Sequence, residues 1–463
     1  MSAVSRSPVS AQDKAQPRSR GVVIRTPIPG PEGAKVVELD HEYLMTSTKS
    51  APIVGIKGEG VWITDVDGNR FLDFAAGVGV LSTGHCHPDV VAAVQRQAAS
   101  LMHFAGTDFY YPSQALLAQR LAQTAPGGHP KKVFFTNSGT ESVEAAIKLA
   151  RWNTQRPVIL GLIGSFHGRT MGSLAVTSSR TAQRRRFLPY SGNTAHIPAP
   201  YCYRCPYKLE YPSCDLYCVK ILEELYFHTV LPPEDVAAFL AEPVLGEGGY
   251  IVPPRDYFRA AQKILKPYGI LHLADEVQSG VARTGTLWAI ENFGVVPDVI
   301  SLAKGIGSGL PIGAIIADAR LDYSYPGAHS NTFGGNLVAV AAARATMDVI
   351  EREKLAENAR RQGDYLQKRL RELQSKYDVI GDVRGLGLMV ATEFVKDRRT
   401  KEPAVALRDQ IEKEAYRRGL ILLGCGRSAI RYIPPLIVRP EEIDEAVEIL
   451  DQAIEAALKA QAS

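Results

Sequence analysis

Three short strings in this chain place a chemically useful residue where an apolar run gives way to polar or glycine-rich sequence. Lys304 closes the run in DVISLAKGIGSGLPIG, and the glycines beyond it allow the backbone to approach a ligand closely. Burying such an amine disfavours its ammonium form, the condition an imine-forming lysine needs. A lysine whose stem snorkels to the surface fits the same string. Asp275 follows the apolar run of GILHLADEVQ. An acid there serves as ribose ligand, metal ligand, helix cap or partner of a protonated ring nitrogen. In NSGTESVEAAIKLAR, Ser138, Gly139 and Thr140 precede a helical stripe of Val143, Ala146, Ile147 and Ala150. They stand at a helix N-terminus, where unpaired N–H groups, the dipole and added hydroxyl donors favour an anion such as phosphate. A capping box of Ser138 with Glu141 is the plain alternative.

The elements that must hold these residues alternate. Helical periodicity over 89–105 and 112–124 is followed by the strand-like KKVFFTN, the helix ESVEAAIKLARWN and the strand PVILGL. DVAAFLAEP, GILHLADEV and DVISLAKG read as strands buried on both faces, separated by helices such as 257–268. This is the pattern of βαβ units and a mainly parallel sheet, whose ligands sit at the carboxyl ends of the strands. Upstream, GVWITDVDGNRFLDF predicts a hairpin turning at Asp67, Gly68 and Asn69, and TPIPGPEG predicts an extended arm. Beyond residue 345 the pattern changes to long amphipathic helices over 345–377, 404–418 and 440–459, with short strands between. The expected division is a disordered tail 1–25, an arm and hairpin 26–84 belonging to a small domain, a large domain 85–344, and the rest of the small domain in 345–463.

Composition narrows the function. Of 463 residues 45% are hydrophobic, 22% charged and 8% aromatic, which excludes disordered, collagenous and disulfide-framework proteins. A net charge of +4 is too weak a field to argue for nucleic acid or an anionic membrane. No run approaches the roughly 20 apolar residues of a spanning helix, and the N-terminal MSAVSRSPVSAQDKAQPRSR lacks the apolar core of a secretory leader. Cytoplasm is the expected compartment.

An anion seat, an acid for a ring nitrogen and an imine-forming lysine together match the phosphate, pyridine and aldehyde of pyridoxal 5′-phosphate (PLP). The chain resembles the class III (ω-type) aminotransferases among the fold-type I PLP enzymes. NSGTESVEAAIKLAR, SFHGRT, EPVLGEGG, ADEVQSGVARTG, LAKGIGSGLPIG and NTFGGN follow that family's pattern in order, across residues 28–455. The resemblance implies an α/β fold with a mainly parallel sheet flanked by helices in a large domain, and a smaller α+β domain formed by both termini. Lys304 would form the Schiff base and shuttle the proton, and Asp275 would keep the pyridine nitrogen protonated. Phe166 would stack on the ring, Gln278 would bond near its phenolic oxygen, and Ser138, Gly139 and Thr140 would hold the phosphate. Thr332 of a neighbouring subunit would complete that site, implying a homodimer or a dimer of dimers. His167 is expected to brace the loop.

The same resemblance makes Arg169 and Arg431 forks for substrate carboxylates, with Glu247 covering Arg431 when no carboxylate is present. Val78 and Phe109 suggest apolar pocket walls, and Leu245 stands where the family often has Gln. The expected reaction is a ping-pong transfer from an ω-amino acid of the 4-aminobutyrate, ornithine or acetylornithine kind to 2-oxoglutarate or pyruvate. GDVRGLGL and LILLGCGRSAIRYIPPLIV are also similar to archaeal relatives that racemise amino acids, so racemisation stays open. A silent PLP-binding regulator is the rival of another class. Cys202, Cys205, Cys214 and Cys218 form two close pairs whose softness and spacing suit zinc or an iron–sulfur cluster. A flap with a disulfide or free thiols fits at least as well, and no metal site is assigned.

Overall fold

The computed structural model describes residues 21–187, 189–190 and 193–462. At its centre is a seven-stranded sheet in the spatial order Lys131–Thr136, Gly313–Asp318, Val299–Leu302, Leu271–Asp275, Val236–Ala241, Val158–Ile163, Thr194–Pro198. Gly313–Asp318 alone runs antiparallel to both of its neighbours, and the remaining pairings are parallel. The continuous apolar runs follow from cover on both faces. Ala238 and Leu240 pack with Val143, Ala146 and Ile147 of helix Gly139–Thr154, whereas Phe239 and Ala241 join the opposite core with Phe258 of helix Tyr257–Leu265. Alternate residues of one strand thus serve two cores.

A second lobe contains an antiparallel sheet, Ile380–Leu386, Met389–Phe394, Ala429–Tyr432 and Leu423–Cys425, with helices Leu355–Lys376, Val405–Arg417 and Pro440–Ala462. The single long helix expected over 345–377 is two: Leu337–Arg352 and Leu355–Lys376. Lys354 between them has φ +50°, which ends one helix, and the buried Leu355 opens the next in a new direction.

The N-terminal hairpin Trp62–Asp65/Arg70–Asp73 gains a strand, Gly55–Glu59, on one side. On its other side Leu420–Ile421 pairs in parallel with Leu72 and Asp73, joining the two ends of the chain. Two expectations change here. The arm is extended only to Gly30, because Pro31 takes the first position of helix Pro31–Tyr43, where its missing N–H costs nothing. Of the tail 1–25, residues 1–20 lie outside the described residues, while Val23 exchanges backbone hydrogen bonds of 3.0 and 2.7 Å with Arg70. Among the described residues no helix is long and apolar enough to cross a membrane.

Candidate active site

Five strands of the sheet end at one edge, and each delivers side chains to a single cavity of about 460 Å³. Lys131–Thr136 leads to Ser138, Gly139 and Thr140; Val158–Ile163 to Phe166, His167 and Arg169. Val236–Ala241 leads to Glu242 and Glu247, Leu271–Asp275 to Asp275 and Gln278, and Val299–Leu302 to Lys304. The crevice beyond the carboxyl ends of parallel strands is where this class of sheet binds ligands.

Lys304 has φ +42°, an uncommon conformation for a residue with a Cβ and one that costs of order 1–3 kcal/mol. The strand's buried Val299–Leu302 and the following turn hold it there. Burial lowers the Lys304 ammonium pKa, and Asp275, Glu242 and Glu247 oppose that shift without cancelling it. Asp275 is buried; its Oδ2 meets His167 Nδ1 at 2.7 Å and its Oδ1 accepts Val277 N–H at 3.0 Å. His167 therefore orients the acid as well as the loop.

Glu242, which was not singled out from sequence, lies between these groups. It accepts the backbone N–H of Phe166 and of Gly246, each at 2.8 Å. Burial pushes its carboxyl up to about 7, with the Asp275 charge adding and His167 opposing. Its position in an EP dipeptide just past a strand was the one available sign.

The start of helix Gly139–Thr154 shows both readings of NSGT at once. Ser138 Oγ accepts Glu141 N–H at 3.4 Å, and Glu141 Oε2 accepts Asn137 N–H at 2.8 Å. Thr140 Oγ1 turns to Ser173 and Thr170, at 2.7 and 2.9 Å. The hydroxyls are thus engaged within the chain, but the backbone N–H groups of Gly139 and Thr140 have no acceptor among the described residues. A side chain at Gly139 would meet Val277 Cγ1 at 2.5 Å, so only glycine keeps the seat open. Across the cavity the buried Gln278 Oε1 has no partner. These unpaired donors and the orphaned amide oxygen fit a phosphorylated, polar-edged ring with the Lys304 amine beside it.

Arg431, on strand Ala429–Tyr432 of the second lobe, donates from Nη1 to Glu247 Oε1 at the cavity wall, and its Nε has no partner. Burial pushes Glu247 up, but Arg431 outweighs it and holds the carboxyl below its ordinary range. Arg169 lines the cavity with its guanidinium 5.8 Å from the Phe166 ring centroid. Three expected residues are not brought to the cavity within one chain. Val78 is replaced by Val80 on the wall, because positive φ at Ala76, Gly77, Val78 and Gly79 coils the segment. Phe109 is half-exposed and stacks on Phe104 at 4.3 Å, and Thr332 is exposed.

Fold and site together define a PLP-dependent enzyme with a lysine at a parallel-sheet edge. Residues 44–454 match the aminotransferase class III family model, and the chain belongs to that family. It is 39% identical to a probable 4-aminobutyrate aminotransferase of Bacillus subtilis, over 87% of this chain and 93% of the relative. It is 37% identical to an alanine/serine racemase of Pyrococcus horikoshii, over 92% and 91%. An amine transaminase from an uncultivated Pseudomonas species, solved with PLP bound, superposes with a TM-score of 0.83 at 33% identity, covering 90% of this chain and 98% of that one. The enzyme is thus an aminotransferase that uses PLP and acts on an amino donor and an oxo-acid acceptor.

Proposed function

We propose that this enzyme takes the amino group of an ω-amino acid of the 4-aminobutyrate, ornithine or acetylornithine kind and passes it to 2-oxoglutarate or pyruvate in two half-reactions. The observation that carries the reading is the Arg431–Glu247 pair at the cavity wall. A buried guanidinium that can be covered by its own carboxylate or opened to a substrate's suits a site that must accept substrates with and without a second carboxylate. PLP, when bound, supplies an aldehyde for amine capture and a ring that takes up the electron pair left as the substrate carbon loses its proton.

The chain's own groups do the rest. Gly139 and Thr140 N–H groups bind the phosphate, and Phe166 stacks on the ring. Asp275, oriented by His167, keeps a negative charge beside the ring nitrogen. Lys304 Nζ, its basicity moderated by burial, would serve first as general base, taking the proton from the substrate carbon, and then as general acid. Gln278 bonds near the phenolic oxygen, and Arg169 and Arg431 hold carboxylates. Ser138 caps the helix that presents the phosphate seat.

We further propose a homodimer, or a dimer of such dimers, in which Thr332 reaches the neighbouring phosphate site. Its exposure beside the exposed Phe333 supports this. The Leu72–Leu420 pairing supports grouping 26–84 with 345–463 around the large domain 85–344. Six unpaired cysteines suit the cytoplasm.

The test is spectroscopic: an ω-amino acid should bleach the yellow cofactor band and 2-oxoglutarate should restore it. No response to any amine would leave a silent binding protein. The racemase relative supports a second reading, since racemisation needs the same carbanion with proton return to the opposite face. One pure enantiomer without oxo acid separates the two: multiple-turnover loss of optical rotation means a racemase.

A further inference from the structure

Away from the cavity, four cysteines converge. Cys202 opens the short turn Cys202–Arg204 and Cys205 follows it; Cys214 lies in the next loop, and Cys218 is in the first turn of helix Tyr217–Ile221. The chain doubles back between the two pairs. Lys208 N–H bonds to Cys205 O at 3.1 Å and Cys214 N–H to Glu210 O at 2.8 Å, while Lys208, Asp215 and Leu216 all take positive φ. All four thiols are free, and all four residues line one void of about 20 Å³, room for about one atom-sized sphere. Tyr207 and Tyr217, edge to face at 5.0 Å, also line it.

We propose that Cys202, Cys205, Cys214 and Cys218 form a mononuclear tetrathiolate site for a soft divalent ion of the zinc class. Four sulfur donors in two close pairs suit the tetrahedral preference of that ion. The small void that the four residues share suits a single ion. Each thiol gives its proton to water as the ion binds, so loading releases four protons and leaves a site of charge −2. Without an ion, no three Cys, His or acidic side chains among the described residues stand at metal-binding geometry. On this proposal the ion draws together four thiols that already share one void.

That loop is fastened to the substrate gate. Tyr201 and Arg204, flanking Cys202, both donate to Glu393. Glu393 meets Arg384 at 2.8 Å, and Arg384 Nε donates to Gly249 O at 2.9 Å, two residues from Glu247. The metal site is therefore a positioning device for the junction of the two lobes. It stands independently of the proposed substrate.

Elemental analysis of the holoenzyme, produced with zinc and dialysed against EDTA, should find about one zinc per chain. A mercurial should release it, and protein grown on cobalt should show the d–d bands of a tetrahedral thiolate, to the red of the cofactor. Cys202→Ser and Cys214→Ser should each cut the stoichiometry and lower the unfolding temperature, while Cys86→Ser and Lys304→Ala retain the metal. If the serine variants fail to fold, the intact enzyme still decides. Negligible metal with four thiols freely alkylated, or an intact mass four protons light without metal, would overturn the proposal.

Discussion

Replacing Glu247 with alanine separates the two half-reactions and tests the gate directly. Arg431 keeps 7% side-chain exposure and Glu247 18%, and among the described residues no other acid hydrogen-bonds the guanidinium. Stripping one partner from a buried pair costs about 3–5 kcal/mol; because Glu247 borders the cavity, water recovers part of this, and we expect about 2 kcal/mol. A substrate carboxylate would no longer have to displace Glu247, an exchange involving a charge-assisted hydrogen bond of about 1.5–3 kcal/mol. A donor that places no carboxylate there gains nothing and meets a bare buried cation. The ratio of kcat/KM for 2-oxoglutarate to that for the amine should therefore rise about 10- to 100-fold in Glu247→Ala. Stopped-flow measurement of each half-reaction reads the ratio, and thermal unfolding with and without 2-oxoglutarate reads the recovery of stability. Equal losses in both half-reactions, with no stabilisation by the acceptor, would refute the gate. Acid cannot substitute for the mutation at ordinary pH. Glu247 is held below its usual range, so the pair's stabilisation is present above the unfolded value of about 4.3 and is lost only as pH falls through the lower folded value.

Other outcomes follow from the same geometry. Lys304→Ala should abolish turnover while leaving the unfolding transition of the cofactor-free enzyme intact, and full activity would remove the mechanism. Asp275→Asn should leave cofactor bound but slow both half-reactions by orders of magnitude; rates within about tenfold of the parent would count against the ring-nitrogen role. Thr332→Ala should weaken cofactor binding by about tenfold or more, and mixing it with Lys304→Ala should regain activity through hybrid dimers. A mixture no more active than its Thr332→Ala component at limiting cofactor would place Thr332 elsewhere. His272 is stacked between Phe239 and Phe258, its Nε2 has no partner, and burial lowers it to about 4. Between about pH 6.5 and 4 the unfolded chain binds the extra proton, so stability should fall with pH by up to about 3 kcal/mol. His272→Phe should flatten that slope in urea titrations, and an unchanged slope would assign it to other groups.

Lys304 and Asp275 could be found in the sequence because each closes a mostly apolar strand, and Ser138–Thr140 because they open a helix with an apolar stripe, so each marks the sheet edge. Glu242 obeys the same rule but escaped notice, since its backbone donors, Phe166 and Gly246, are defined only by the fold. The His167–Asp275 bond spans 108 positions and has no local trace. Val78 lies two residues from the Val80 that lines the cavity, in a left-handed run that carries a Val among glycines. The arm expected over TPIPGPEG ends at Pro31, because a proline at the first helical position begins a helix rather than preventing one.

Local sequence thus determined which residues have reactive chemistry and that each ends an element, because hydrophobic period and helix-end composition are properties of neighbours along the chain. Tertiary structure decided which of them meet. The approach of Arg431 to Glu247 across two lobes, the unclaimed N–H groups facing Lys304, and the convergence of four thiols on one void all depend on distances through space, which packing sets and spacing along the chain does not.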